Sequence, residues 1–331
     1  MNPTPAPAQP GSAAPSPAGA AAPVVADPTG TSPARPGASR RRITPGKILA
    51  WAFLLAVVLV TLFPFYWMLR TALSTNQGLQ TDPTSWVPPE FTFGAFERVL
   101  GMQSTEEALA EGGSGTALNF WRYLLNSVLV ATLITAGQLL FSAMAAYAFS
   151  RLKWPGRDKV FALFLAGLMV PTIFTLLPNF VLIKELGLVD NLLGIALPTM
   201  FMTPFAVFFL RQFFMNVPPE IEEAALLDGV SKVGVFFRVI LPMSAAPMAT
   251  LGILTYMTAW NDYFWPLMVS YTDASRVLTV ALGVFRAQSP QTGTDWAGLM
   301  AATLIAALPM MLLFAVFAKR VVNSIGFSGI K

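Results

Sequence analysis

Six long, uncharged apolar runs constrain the fold of this chain more than any other feature of its sequence. Each run has about 20 residues or more, and a helix rising about 1.5 Å per residue then spans roughly 30 Å of hydrocarbon. The runs lie at about 48–69, 123–149, 160–183, 191–210, 239–261 and 297–318. Buried helices of a large soluble protein are the alternative for any single run, but six runs in 331 residues argue against it. The sequence therefore predicts an all-α integral membrane protein with six transmembrane helices.

The composition supports a membrane protein and argues against catalysis. Only 11% of the residues are charged, compared with about 25% in soluble domains. The chain has no cysteine and no histidine, which excludes thiolate metal sites and removes the commonest base at neutral pH. It also lacks a G-x-x-x-x-G-K-S/T phosphate loop, and a net charge of +4 gives no indication of nucleic-acid binding. We expect a non-catalytic chain without a metal or cofactor of its own.

Basic residues predict how the runs are oriented. Lys and Arg cluster in short cytoplasmic loops, and with six spans every basic cluster falls on one side of the membrane. The long loop after the first run is acidic instead. Both termini and the loop between runs four and five are therefore expected in the cytoplasm. The basic residues are Arg40, Arg41, Arg42, Lys47, Arg151, Lys153, Arg157, Lys159, Arg211, Lys232, Arg238, Lys319, Arg320 and Lys331.

Four regions follow from these patterns. Residues 1–39 are rich in Ala and Pro and almost free of large apolar side chains, which predicts a disordered cytoplasmic tail. A signal peptide is the alternative, but the first apolar run has full spanning length. Residues 40–120 are expected to hold the first helix, at about 48–69, and an external loop. Residues 121–320 form a five-helix core with a polar loop at 216–238, and residues 321–331 form a second cytoplasmic tail.

The polar loop is predicted to fold as two short helices at the membrane surface. Pro219 is suited to the first turn of a helix, and three glutamates follow near its positive end. Gly229 is expected to end that helix, since glycine takes left-handed backbone geometry at low cost. Ser231 is a candidate cap for a second helix running to Arg238. Ala224 and Ala225 are expected to be exposed and to leave room for close approach by a partner.

The spacing of this loop resembles the EAA loop of ATP-binding-cassette (ABC) importer permeases. That pattern runs EAA, three residues, Gly, nine residues, Ile, any residue, Leu-Pro. Here it reads Glu223-Ala224-Ala225, then Gly229, then Val239 in the place of Ile, then Leu241-Pro242. The match implies a type I importer permease fold with both termini in the cytoplasm.

Three further features resemble the smaller permease subunit of the maltose, trehalose and glycerol-3-phosphate importers. Asp228 directly precedes Gly229, although Val230 stands where that subfamily often has Ala. A Trp-Asn-acidic-aromatic-Pro-Leu signature is matched between Trp260 and Leu267. The chain ends in a short glycine-rich tail at 326–331. The likeness runs from about residue 48 to the end of the chain.

The resemblance implies a set of partners and a mechanism. The permease would form a heterodimer with a second, related permease within membrane lipid. Two copies of a cytoplasmic ATPase would use ATP and Mg²⁺, and an external binding protein would deliver a sugar. ATPase motion would reach the permease through the EAA loop. The residues implied in this coupling are Glu223, Ala224, Ala225, Asp228, Gly229, Leu241 and Pro242. Alternatives are a permease for a polyamine or phosphate ester, an ion-coupled secondary carrier, and a membrane scaffold.

Polar and aromatic residues near the outer end of the fifth run are candidates for the sugar path or for contact with the binding protein. Amide and carboxylate groups suit sugar hydroxyls, and aromatic faces suit sugar rings. The alternative is interfacial anchoring combined with a helix cap. The candidates are Trp260, Asn261, Asp262, Tyr263 and Phe264, with Asn179 and Asn126 as further polar residues in other runs.

Overall fold

The computed structural model describes residues 45–114, 118–287 and 293–326, with side chains as far as residue 317. The tail predicted at 1–39 lies outside the described residues, as does the part 327–331 of the tail predicted at 321–331, whereas residues 321–326 continue the last helix. The regular secondary structure of the described residues is helical, apart from an isolated bridge between Ser74 and Phe91, which confirms the all-α prediction. The helices are α1 (Pro45–Ala72), α2 (Asn76–Thr81), α3 (Gly94–Val99), α4 (Thr105–Ala110), α5 (Phe120–Ser150), α6 (Arg157–Ala166), α7 (Thr172–Glu185), α8 (Leu192–Ala196), α9 (Pro204–Met215), α10 (Pro219–Leu227), α11 (Lys232–Val235), α12 (Leu241–Met243), α13 (Ala245–Asn261), α14 (Phe264–Val269), α15 (Leu278–Ala287) and α16 (Trp296–Gly326).

Three of the described helices are long and apolar enough to cross a membrane, and two bent pairs raise the number to five. The long helices are α1, α5 and α16. The bent pairs are 157–169 with 172–185, at 99°, and 232–243 with 245–261, at 79°. These segments make the chain a multi-pass membrane protein.

The fourth apolar run is not one continuous helix. It contains α8 and α9, and the seven residues between these helices are not helical. Asn191 caps α8 and Thr203 caps α9 through their side-chain oxygens. Pro198 interrupts the first helix and Pro204 begins the second, because proline lacks a backbone donor and fits best in a first turn. Among the described residues the run therefore gives two short helices where the sequence predicted a span.

The chain divides into two compact units, residues 1–56 and 57–331. The described part of the first unit is the start of α1, and all its residues are exposed. In the second unit the α1 side chains at 57–66 are also exposed. The last three residues of α1, Arg70, Thr71 and Ala72, are buried.

Helix α5 is central to the second unit, packing on α9 and α13, and its residues enter all three buried apolar clusters. Its fully buried contacts are made by small residues such as Ala131, Ala143 and Ala146. Small residues let helix backbones approach closely in membranes, where hydrophobic burial gives little net drive. Gly137 shows how closely the backbones approach, because an added Cβ would lie 2.5 Å from the Met200 carbonyl oxygen.

A buried ionic network joins the segment between α1 and α5 to the start of α16. The Asp295 carboxylate lies 3.1 Å from Arg98 Nε, and the side chains of both residues are at most 5% exposed. Asn76 Nδ2 donates to Asp295 Oδ1 at 2.8 Å, and the Ser114 amide donates to Oδ2 at 2.9 Å. Glu111 lies 3.7 Å from the same arginine. The network fixes this loop segment, which the sequence predicted only as acidic.

Candidate functional site: an exposed helical loop and a polar cavity

The polar loop folds as a helix, a turn and a second short helix. Helix α10 starts at Pro219 and ends before Asp228. Gly229 follows with a φ of +83°, the left-handed geometry that glycine adopts without a steric penalty. The Ser231 side chain accepts a hydrogen bond from the Gly234 amide at 3.2 Å. The sequence extended the second helix to Arg238, whereas α11 ends at Val235 and a π-helical turn covers Phe236–Ile240.

Glu222 anchors α10 to the end of α5. Its carboxylate accepts a hydrogen bond from the Tyr147 hydroxyl at 3.1 Å and lies 3.9 Å from Arg151. The guanidinium of Arg151 also donates to two carbonyls, that of Phe214 in the last turn of α9 and that of Val217 just after this helix. Glu222 and Arg151 are only 13% and 10% exposed in their side chains. One polar cluster therefore holds α5, α9 and α10 together, and the sequence analysis did not find it.

The EAA-type residues divide into an exposed set and an inward set. Glu223, Ala224, Asp228 and Gly229 are exposed, and Leu227 between them is 89% exposed. Ala225 and Leu241 are partly buried against the apolar cluster around Phe214 and Val235. The exposed set is open to solvent, whereas the inward set packs against the bundle.

Leu241 and Pro242 lie where the loop returns to the bundle. They begin α12, directly after the π-helical turn. The chain then bends by 79° into α13, and Ser244 at the bend is 3% exposed. A π-helical turn disrupts the regular i→i−4 bonding pattern and often accompanies functional sites. The loop is thus connected to α13 through a bent segment.

The candidates at the end of α13 have separate surroundings. Trp260 is buried and stacks on Tyr256 at 6.1 Å. Asn261 is exposed and donates to its own helix, at the Met257 carbonyl, at 2.8 Å. The Asp262 carboxylate accepts hydrogen bonds from the backbone amides at 263–265. Tyr263 is partly exposed, with its ring against Gly283.

Asp262 and Asn179 come together at a pair of cavities. The first, of about 260 Å³, lies among α5, α9 and α13. The second, of about 340 Å³, lies beside α7 and α14 and is lined by Asn179. Thr199 and Asp262 line both cavities. Trp260, Asn261 and Tyr263 line neither of them.

The first cavity has polar walls that the sequence analysis missed. Gln138 is 8% exposed in the middle of α5. Its amide donates to Thr203 Oγ1 at 3.0 Å and accepts from Thr255 Oγ1 at 2.7 Å. Thr258 adds another hydroxyl to the lining. A glutamine within an apolar run is the signal that would have identified this site.

Asn126 has a different position. Its amide donates to the carbonyls of Ala274 and Arg276, at 3.0 and 2.9 Å. It therefore holds the loop before α15 against α5. Asn126 lines neither of the two cavities.

The second unit is thus a helical bundle with a cavity that polar side chains help to line and with an exposed helical loop, in a chain with several helices apolar enough to cross a membrane. Residues 138–326 match the family described as binding-protein-dependent transport system inner membrane component, and the chain belongs to this family. The matched region includes the cavity residues and the whole polar loop.

Two transport permeases of bacteria are similar to most of the chain. The sn-glycerol-3-phosphate transport system permease protein UgpE of Pectobacterium atrosepticum is 31% identical, over 84% of this chain and 95% of the relative. The diacetylchitobiose uptake system permease protein NgcG of Streptomyces coelicolor is 28% identical, over 84% and 86%. A solved bacterial ABC transporter that imports the acidic polysaccharide alginate matches in fold with a TM-score of 0.69, at 21% identity, over 84% of this chain and 97% of that one.

Proposed function

We propose that this chain is one transmembrane half of an ATP-driven importer that takes up a sugar. The exposed α10–Gly229–α11 loop, anchored to α5 through Glu222, is the observation that carries the proposal. The relative that serves diacetylchitobiose supports a carbohydrate, whereas the glycerol-3-phosphate relative serves a phosphate ester, which is the alternative solute class. Six spans with cytoplasmic termini remain part of the proposal, with α8 and α9 together as the fourth span.

The loop would transmit ATPase motion to the polar cavity along α5. Glu222 contacts Tyr147, and Gln138 lies nine residues earlier on the same helix, about 14 Å away. A displacement of α10 therefore acts on a helix that lines the cavity. On the other side, Leu241 and Pro242 lead through the bend into α13, which carries Thr255. Both routes end at the hydrogen-bonded group around Gln138.

The solute path would run through the two joined cavities. Hydroxyl and amide groups both donate and accept hydrogen bonds, as sugar hydroxyls require. Gln138, Thr203 and Thr255 provide such groups in the first cavity, and Asn179 and Asp262 continue the path into the second. Asn261, Tyr263 and the buried Trp260 lie beside the path and would support contact with the binding protein.

The remaining partners follow from the same proposal. A second permease would complete the path, and two ATPase copies would bind ATP and Mg²⁺ and dock at the EAA loops. A solved alginate transporter in complex with a substrate-bound periplasmic protein shares this fold, with a TM-score of 0.53. The proposed regions are a cytoplasmic tail at 1–39, the first helix and external loop at 40–120, the permease core at 121–320 with coupling loop 216–238, and a tail at 321–331.

Replacing Gly229 tests the coupling role. Gly229→Leu places a side chain at a φ of +83° in open space, which costs about 1–2 kcal/mol of local strain and adds bulk to the docking surface. We expect normal membrane insertion, weaker ATPase recruitment and at least about tenfold lower sugar uptake.

Gly156→Leu is the matched control. Gly156 has a φ of +81° and equally open surroundings, but it lies in the turn before α6. Its variant should retain uptake close to wild type. Wild-type uptake by Gly229→Leu would refute the coupling role, and uptake of polyamines or phosphate esters in place of sugars would refute the assigned solute class.

A further inference from the structure

Arg70 is buried at the end of α1 without a carboxylate partner. It is 3% exposed, and within the described part of the chain its side chain makes one hydrogen bond, from a terminal nitrogen to the Asp82 carbonyl at 3.1 Å. Its Nε has no hydrogen-bond partner. Among the described residues, none of the ion pairs includes Arg70. A buried charge is unfavourable unless it is paired, so this guanidinium lacks a counter-charge.

The guanidinium lines a cavity of about 490 Å³ at the end of the bundle where α1 finishes and α16 begins. Two tryptophans form part of the wall, Trp67 and Trp296. Arg70 lies 5.1 Å from the ring centroid of Trp67, and Arg286 lies 5.8 Å from that of Trp296. The polar lining residues are Thr71, Asn76, Gln80 and Thr294.

Two acidic residues adjoin this lining in sequence, Asp295 between Thr294 and Trp296, and Asp82 beside Pro83. Among the described residues, neither carboxylate forms an ion pair with Arg70. Asp295 faces Arg98 at 3.1 Å and accepts further hydrogen bonds from Asn76 and from the Gly298 amide. Asp82 contributes its backbone carbonyl to Arg70. The cavity therefore carries an unbalanced positive charge, and the chemistry that it lacks is an oxyanion.

We propose that this cavity binds the phosphate group of a membrane phospholipid. Arginine binds phosphate through two parallel hydrogen bonds, and Arg70 has free donors. The exposed apolar face of α1 directly precedes it, with Leu62 55% and Leu69 46% exposed, and provides a surface for acyl chains. Phe63, Trp67 and Trp86 form an aromatic cluster with centroids 5.9–6.3 Å apart.

Such aromatic clusters typically mark the headgroup level of a bilayer. A soluble anion would need only the guanidinium. The adjoining apolar face of α1 and the aromatic cluster favour a ligand that also has hydrocarbon chains. The site is separate from the proposed solute path and does not depend on which solute is transported.

Lipid binding to the purified full-length chain tests the proposal. Native mass spectrometry and thermal unfolding in detergent would be compared with phosphatidylglycerol, with diacylglycerol of the same acyl chains, and with inorganic phosphate. We expect phosphatidylglycerol alone to remain bound and to raise the unfolding temperature. Arg70→Gln should weaken its binding by about tenfold or more. Arg122→Gln, which changes an exposed arginine at the start of α5, should leave it unchanged.

Several results would overturn the assignment. Equal stabilisation by diacylglycerol would show that the phosphate is not recognised, and equal stabilisation by inorganic phosphate would show a site for soluble oxyanions. Loss of a second permease subunit from Arg70→Gln, without any change in lipid binding, would show a subunit contact. If Arg70→Gln does not fold, Arg70→Lys, which keeps the charge but loses the paired donors of the guanidinium, and the three wild-type measurements still decide the question.

Discussion

Asp190 shows how a single residue can fix two loops. It has a φ of +61°, a left-handed geometry that aspartate tolerates better than most residues. Its carboxylate accepts hydrogen bonds from the amides of Tyr271 and Thr272, at 2.9 Å each, and from the Ser275 hydroxyl. Burial works against ionisation, but these hydrogen bonds outweigh it and hold the pKa of Asp190 well below its ordinary value. The residue links the loop before α8 to the loop before α15.

Asp190→Asn should remove this charge while keeping the left-handed geometry. We expect a loss of about 1 kcal/mol at neutral pH, given the partial exposure. Because the folded pKa is depressed, the stabilisation is present above the ordinary value of about 4. It is lost as the pH falls through the lower folded value. Thermal unfolding against pH should therefore show the two proteins converging in acid, and a constant difference would contradict the assignment. Asp158→Asn, at a carboxylate that is 75% exposed, is the control.

The sequence predicted the single residues of the polar loop better than those of the cavity. Pro219, Gly229 and Ser231 have roles that follow from their own backbone preferences. Gln138 and Glu222 depend on partners 65 or more residues away along the chain. Local chemistry cannot predict such contacts, because they exist only after the helices have packed.

At the scale of elements, prolines in this bundle differ in whether they interrupt a helix. Pro64 and Pro309 lie inside continuous helices, whereas Pro171 lies at the 99° bend before α7. The presence of a proline in an apolar run does not by itself separate these cases. Neighbouring helices, side chains or a wet cavity can satisfy the freed carbonyl, so the result depends on packing. The apolar runs therefore predicted which segments are helical, but not where each helix breaks.

The anchor of α10 can be tested at the same scale. Glu222→Ala removes the contacts to Tyr147 and Arg151 and should loosen α10 by about 1–3 kcal/mol. Hydrogen exchange of the α10 amides should accelerate, and sugar uptake should fall. Glu220→Ala, at an exposed residue two positions earlier in the same helix, should change neither the exchange nor the uptake. Unchanged exchange in Glu222→Ala would show that the anchor does not hold the loop.

The whole molecule combines close-packed helices with a few buried polar contacts that join distant parts of the chain. Apolar runs and basic loops predicted a helical membrane protein. They could not predict the central position of α5 or the contact between the loop segment and α16. Those features arise from side-chain fit and from ionic pairs, such as Arg98 with Asp295, that connect residues far apart in sequence.

Asp295→Leu should destabilise the whole protein by about 3 kcal/mol, because Arg98 would remain buried with only the longer 3.7 Å contact to Glu111 as a counter-charge. The double variant Arg98→Met with Asp295→Leu should recover part of that loss, since the charge that then remains, Glu111, is 25% exposed in its side chain. Thermal unfolding in detergent would measure both. A double variant at least as unstable as the sum of the single variants would show that the pair does not interact as described.

The Arg98–Asp295 pair also determines when the segment around α3 can complete its folding during synthesis. Asp295 leaves the ribosome 197 residues after Arg98 and 219 residues after Asn76. At about 5–20 residues per second, this delay lasts about 10–40 s. The segment around α3 cannot form its ionic lock until the last helix begins to be translated. A nascent chain stalled before that point lacks the closest counter-charge of Arg98 and keeps only the 3.7 Å contact to Glu111. We expect such a truncation to be degraded faster by membrane proteases, and pulse-chase labelling would measure its lifetime.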